Sequence, residues 1–313
     1  MTSQRICLIG GSGFIGRHLA AQLASRGHRL TIASRRPALP GFRVLPSAEL
    51  VSADIHDPAQ LAKLVDGHDA VVSMVGILHG SRAQFEKAHA QLPEKIVAAC
   101  RQQNVRRLLH ISALGAAQDA PSDYQQTKAL GELAVESSGL DWTILRPSVV
   151  FGRDDAFLNM FAGLQKLLPA LPLAGAGCKM APVWVEDVAR AACECLARKE
   201  TVGKKLDLAG PEIHTLADLA RLAGRASGHP RPVVGLPDSL AMLQAALMEW
   251  LPGPTLMSRD NVRSLQWDNV SDQPFPSSLL GFEPAALSAL APGWLAGRGR
   301  NDTASRYRAK AAR

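Results

Sequence analysis

Long apolar runs, paired cysteines and clustered metal ligands are all missing from this chain of 313 residues. No uncharged apolar stretch is long enough to cross a membrane, which leaves peripheral association as the one membrane option. The five cysteines, Cys7, Cys100, Cys178, Cys193 and Cys195, are odd in number and form no CxxC pair. That pattern excludes a disulfide framework and points to reduced, mostly buried thiols. Nine histidines include no HExxH and no closely spaced ligand set, so no metal is implied. The first strand signal begins within a few residues of the start, which predicts no signal or transit peptide and a cytoplasmic location.

Basic charge is concentrated at one end. Between Ala296 and Arg313 stand six Lys or Arg against one Asp, a net +5 of the formal +7. The body is close to neutral, which argues against a nucleic-acid face, and the tail reads as a flexible basic arm. Nothing in the composition fixes an oligomeric state.

The most informative stretch is Gly10-Gly11-Ser12-Gly13-Phe14-Ile15-Gly16, behind the apolar run Ile6-Cys7-Leu8-Ile9 and ahead of a helical pattern. Gly10 suits a sharp turn out of a strand, Gly13 a close approach of backbone to a pyrophosphate, and Gly16 close packing of the following helix. Ile15, Leu19 and Leu23 keep helical spacing, and Gly27 stands where a left-handed cap belongs. Strand, loop and helix thus occur in the order a dinucleotide site needs, with Ser12, Phe14 and Ile15 supplying further contacts in the phosphate loop.

Short β-rich runs then alternate with helices through the first half: strands at Leu30–Ala33, Leu50–Asp54, Ala70–Val75, Leu108–Ser112 and Trp142–Leu145, helices near Pro58–Val65, Phe85–Gln103 and Tyr124–Ser137. That alternation predicts an α/β fold, a Rossmann-like doubly wound parallel sheet with a smaller, mainly helical C-terminal lobe. Residues 1–152 with 184–210 are expected to form the nucleotide-binding domain, 153–183 with 211–297 a substrate-side cap, and 298–313 the tail. Two apolar stripes, Phe157-Phe161-Leu164-Leu168 and Leu240-Leu243-Leu247-Trp250, read as packing within that lobe or as lining for an apolar substrate.

Ligands of such sheets collect outside the carboxyl ends of the strands. After the second strand, where NAD sites usually place a carboxylate, the chain reads Ser34-Arg35-Arg36. Two guanidinium groups suit a 2′-phosphate, which favours NADP(H) over NAD(H), unless both are plain surface charges. Asp54 and Ile55 could bracket the adenine, although Asp54 also suits an ordinary turn, and Val75 and Gly76 would let a ribose approach.

Tyr124 and Lys128 lie four apart on one predicted helix face, and Ser112 ends the strand before it. Proton transfer coupled to hydride transfer needs this set: a phenol to exchange the proton, a hydroxyl to orient the substrate oxygen, an ammonium to favour tyrosinate and bind ribose. Bringing a phenol from about 10 to near 7 takes about 4 kcal/mol, which one cation supplies only within roughly 4 Å. A Tyr and Lys at this spacing are otherwise a solvated helix face. With two tyrosines in the whole chain, coincidence is a weaker explanation.

Together GGSGFIG, HISALGA, YQQTKALGE, ILRPSVVFG and PVWVEDVARA resemble the extended and atypical short-chain dehydrogenase/reductases. The similarity is strongest to the branch with the NADPH-carrying alpha-subcomplex subunit 9 of respiratory complex I, and it spans about Arg5 to Val234. The resemblance implies bound NADP(H), with Gly10, Gly13 and Gly16 at the phosphates, Arg35 at the 2′-phosphate, Asp54 at the adenine, and Tyr124 with Lys128 as the catalytic pair. It places Arg146-Pro147-Ser148, Val149 and Phe151-Gly152 beneath the nicotinamide, and Val185–Val188 on the substrate side. Ala113 follows Ser112 where many members have a second Ser or Thr. Three functions fit: an oxidoreductase on an apolar, quinone- or isoprenoid-like carbonyl or alcohol, linked by analogy to ubiquinone biosynthesis or complex I; a non-catalytic NADPH-binding assembly factor; and an NAD-dependent sugar-nucleotide epimerase or dehydratase, which Arg35-Arg36 disfavours.

Overall fold

The computed structural model describes residues 3–34, 45–250 and 255–296. Its apolar runs form seven main strands: β1 (Arg5–Ile9), β2 (Arg29–Ala33), β3 (Ala48–Val51), β4 (Ala70–Ser73), β5 (Arg107–Ile111), β6 (Asp141–Pro147) and β7 (Lys204–Leu208). They join in one parallel sheet in the order β3-β2-β1-β4-β5-β6-β7. Strand order reverses between β1 and β4, the point at whose carboxyl edge ligands of such sheets collect. The fold is thus the expected Rossmann-like α/β sheet, with a helical C-terminal region.

The helices that matter for the site are α1 (Phe14–Ser25), α2 (Pro58–Val65), α3 (Arg82–Glu86), α4 (Leu92–Gln102), α5 (Asp123–Glu136), α6 (Phe157–Leu167), α7 (Val185–Ala197), α8 (Leu216–Ala226), α9 (Asp238–Trp250) and α10 (Arg259–Ser264). Side chains of β1 alternate between two cores because successive residues of a strand face opposite ways. Ile6 and Leu8 join Leu19 and Leu23 of α1 and Val188 of α7; Cys7 and Ile9 join Leu61 of α2 and Ile96 of α4. Each such fully buried aliphatic side chain contributes about 1.5–3 kcal/mol. All five cysteines are buried and unpaired.

Local chemistry sets the helix ends. Asp57 accepts from the Ala59 and Gln60 amides at 2.8 and 3.1 Å and starts α2, with Pro58 in its first turn. The helix expected from Phe85 to Gln103 starts earlier, because Ser81 and Gln84 form a capping box. It also widens into a π turn over Lys87–Gln91. Pro93 lacks the N–H that an α-helix would direct to the His89 carbonyl, and a Cβ at Gly131 of α5 would lie 2.0 Å from that oxygen. The π turn therefore sits where α5 crosses.

In the C-terminal lobe, α6 and α8 pack through Leu158, Phe161, Leu219 and Ala223 with Phe151 and Leu287. Leu171–Leu173 runs parallel to Val233–Gly235 beside them. The second apolar stripe departs from expectation. α9 buries Ala241 and Ala245 against Ala174 and Val262, while Leu240, Leu243, Leu247 and Trp250 point outward, Trp250 being 90% exposed. Small residues let α9 lie close to the lobe, so its large side chains occupy the outer face. Among the described residues no helix is long and apolar enough to cross a membrane.

Candidate coenzyme and catalytic site

The chain leaves β1 through Gly10, whose φ is +91°. A Cβ there would sit 2.9 Å from the Met74 carbonyl carbon and the Val75 nitrogen, so the crossing of β1 and β4 admits only glycine. The Gly13 amide donates to the Gly10 carbonyl at 3.0 Å and closes the turn. At Gly16 a Cβ would lie 2.5 Å from Gly11 Cα, so α1 begins hard against the loop rather than against the strand. Gly13 differs: a Cβ would touch only the Gly10 carbonyl, at 3.3 Å.

Gly13 caps α1 without a side-chain hydrogen bond, and the first turn carries no acid. The leading amides around Ser12, Phe14 and Ile15 are left to an anion, and the helix dipole favours one. A diphosphate fits this cradle. Phe14 borders the nicotinamide-side segment as well, its ring edge 3.2 Å from where a Gly152 Cβ would be.

The remaining coenzyme candidates divide. Arg35 and Arg36 lie outside the described residues, as does the basic tail. Asp54 is exposed, and its Oδ1 accepts from the His56 amide at 2.9 Å, the turn arrangement weighed beside its adenine role. Its second oxygen has no partner among the described residues. Ile55 and Val75 rest on the core beneath α2 and α4. Gly76 is exposed, and a Cβ on it would come within 3.3 Å of Lys128 Nζ.

The expected catalytic residues converge on this corner. Lys128 is buried, and its ammonium donates to the Ile111 carbonyl at the end of β5 at 3.3 Å. Ser112 follows directly, with a buried hydroxyl that has no partner among the described residues. Tyr124, one turn before Lys128, meets Phe85 and His89 edge-on at centroid distances of 6.2 and 5.3 Å. Burial pushes the Tyr124 phenol up to about 12 and the Lys128 ammonium down to about 8, the latter opposed by Glu132. Desolvation, not the Lys128 charge that the spacing suggested, is what moves the phenol. Tyr124 is held neutral.

Further residues complete the corner without having stood out in the sequence. His89, in the π turn, accepts the Ile77 amide on Nε2 at 3.0 Å, so its Nδ1 carries the proton toward Thr127 Oγ1 at 3.1 Å. His110 on β5 bonds Ser73 through Nδ1 at 3.1 Å. Burial, then the nearby Lys128 charge, pushes both imidazoles down to about 3. Asn269 ties the segment after β6 in place: its Oδ1 accepts from Ser148 Oγ at 2.6 Å and the Val149 amide at 3.1 Å, and its Nδ2 donates to the Leu114 carbonyl at 3.2 Å. Asp260 of α10 accepts the first amides of α5. A capping box at Ser258 and Asn261 marked the start of α10, but nothing in the sequence marked its partner.

Two stretches placed by resemblance, the one after β6 beneath the nicotinamide and Val185–Val188 on the substrate side, also make structural contacts. Pro147 is buried, but Arg146 turns to the α5 side and makes a bidentate contact with buried Glu132, which also meets Lys205 at 3.4 Å. Glu186 faces α1, bonding His18 at 2.6 Å and Gln22 at 2.7 Å, and Asp187 accepts from the Ala285 amide at 2.7 Å. The start of α7 thus braces the sheet.

A family model described as NAD(P)H-binding matches residues 10–199. The chain is 28% identical to the mitochondrial NADH dehydrogenase [ubiquinone] 1 alpha subcomplex subunit 9 of Arabidopsis thaliana, over 90% of this chain and 74% of that one. It is 27% identical to a ceramide reductase of Caulobacter vibrioides, over 78% of this chain and 77% of the relative. Among solved structures, a nucleoside-diphosphate-sugar epimerase of Staphylococcus aureus superposes with a TM-score of 0.73 at 18% identity, over 94% of this chain and all of that one. That last likeness speaks for the fold alone. The glycine cradle lies within the matched span, and so do β4, β5 and α5; this chain therefore belongs to the NAD(P)H-binding family, with a fold of the short-chain dehydrogenase/reductase type.

Proposed function

We propose that the chain is an NADP(H)-dependent oxidoreductase that reduces the carbonyl of an apolar substrate. One observation carries this reading: a phenol kept neutral at Tyr124 on the helix face of buried Lys128, whose ammonium reaches the Ile111 carbonyl next to Ser112, a buried hydroxyl without a partner among the described residues. Bound NADPH would supply the hydride.

Tyr124 donates its proton to the substrate oxygen, which suits reduction because the phenol is protonated throughout the neutral range. Ser112 offers that oxygen a hydrogen bond. Lys128, at about 8, is still mostly an ammonium at neutral pH and can hold ribose hydroxyls. The amides at the start of α1 bind the diphosphate, and the exposed face of Gly76 leaves room for the ribose. Arg35-Arg36, with no carboxylate after β2, supports NADP(H) over NAD(H). The apolar preference draws on Leu78, 58% exposed two residues beyond Gly76, and on the reductase relative.

A second reading, a non-catalytic NADPH-holding subunit, is favoured by the match to a respiratory-chain subunit over most of this chain. Tyr124→Phe separates the two. As an oxidoreductase the protein should lose at least about 100-fold in kcat and keep NADPH affinity within about twofold. Full turnover in the variant would remove Tyr124 as proton donor. Failure of long-chain ketones to oxidise NADPH, with a large fall in Tm on nucleotide removal, would favour the binding subunit. Mass spectrometry of nucleotide released from the purified protein decides NADP against NAD.

A further inference from the structure

The start of the catalytic helix is held by a residue far away in the chain. The Asp260 carboxylate, 8% exposed, accepts from the Asp123 amide at 2.7 Å through Oδ1 and from the Tyr124 amide at 3.1 Å through Oδ2. The hydroxyl of the helix's own cap, Ser122, accepts from the Gln125 amide at 3.2 Å and donates to Gln125 Oε1 at 2.7 Å, leaving the two amides before Gln125 to Asp260. Without Asp260 the first two amides of α5 would have no acceptor, and the turn that frays would be the one bearing Tyr124. Lys128 lies one turn deeper and is anchored separately, on the Ile111 carbonyl.

The neighbouring residue reaches the opposite wall. Asn261 donates through Nδ2 to the Leu78 carbonyl at 3.2 Å, on the loop that follows β4 and Gly76. α10 is itself fixed from α9, where Glu249 accepts from the Arg259 amide at 2.7 Å and from its Nε at 2.9 Å. One short helix of the C-terminal lobe thus grips both sides of the catalytic corner.

We infer that Asp260 is the positioning residue for Tyr124, fixing the first turn of α5 and with it the direction of the phenol. This rests on the oxidoreductase reading. It separates two halves of one site: removing the carboxylate disturbs the proton donor and leaves the Lys128 and phosphate-loop half intact.

The test uses the full chain. The two tyrosines are Tyr124 and Tyr307, so Tyr307→Phe leaves a single tyrosine whose ring can be followed by NMR after 13C labelling. In that background Asp260→Ala should lower kcat roughly tenfold, keep NADPH Kd within about twofold, and shift or broaden the Tyr124 resonance. Asp260→Asn, which keeps one acceptor, should fall between, and it serves if the alanine variant does not fold. Leu287→Ala, which loosens the buried core of the lobe, is the control and should lower Tm without moving the resonance. A folded Asp260 variant with unchanged kcat and resonance would overturn the assignment, as would an equal resonance change in the control. If no carbonyl compound is reduced even by the unaltered chain, the oxidoreductase reading fails, and the tyrosine signal still decides whether Asp260 orders Tyr124.

Discussion

Acid should loosen this protein through two imidazoles that never charge in the folded chain. His89 and His110 are 1% and 2% exposed, and both are pushed down from 6.5 to about 3. Between those values the unfolded chain binds a proton that the folded chain refuses, so stability falls as pH drops below about 6.5. At pH 5.0 each group costs about 1.5 pH units at 1.36 kcal/mol per unit, or about 2 kcal/mol relative to pH 7.5. Together they remove about 4 kcal/mol, and a chain of this length should lose roughly 6 °C in Tm. Asp155 and Asp187, whose carboxyls are raised by burial, act in the opposite sense as they take up protons, and trim the loss. Urea unfolding of the unaltered chain and of His110→Gln, each at pH 7.5 and 5.0, isolates one imidazole. The variant should lose about 2 kcal/mol less on acidification. Parallel pH dependences in the two proteins would refute the assignment of a refused proton to His110.

Two further outcomes follow from close contacts and from exposure. Gly16→Ala places a methyl 2.5 Å from the Gly11 backbone and should cost about 2–3 kcal/mol in chemical denaturation, with a clear loss of NADPH affinity by fluorescence titration. Leu247→Ser, on the outward stripe of α9, should change stability by less than about 0.5 kcal/mol, and a larger loss would mean that this face is covered in solution.

The sheet was legible because its signals are local. Short apolar runs placed β1 to β6 to within a few residues, and the glycines marked the loop because a turn at Gly10 and a backbone contact at Gly16 exclude a Cβ while Gly13 keeps the approach open. Tyr124, Lys128 and Ser112 could be read as a set because helix spacing and strand order bring them together. The direction of the Tyr124 shift could not, since the burial that raises it is known only from the tertiary structure. Asp260 and Asn269 were hidden for a related reason. Each acts on residues more than a hundred positions away, and a carboxylate or amide in a loop gives no sign of what it will meet. The α9 stripe misled because 3.6-residue periodicity reveals that a helix has two faces without saying which one a lobe of small residues will accept.

The uncapped start of α1 has a consequence beyond the site. A leading helix that carries no stopper of its own entrusts part of its cohesion to whatever negatively charged solute settles on its tip. The ruggedness measured for this chain is then partly a property of the buffer, and phosphate or sulfate in the preparation will flatter it.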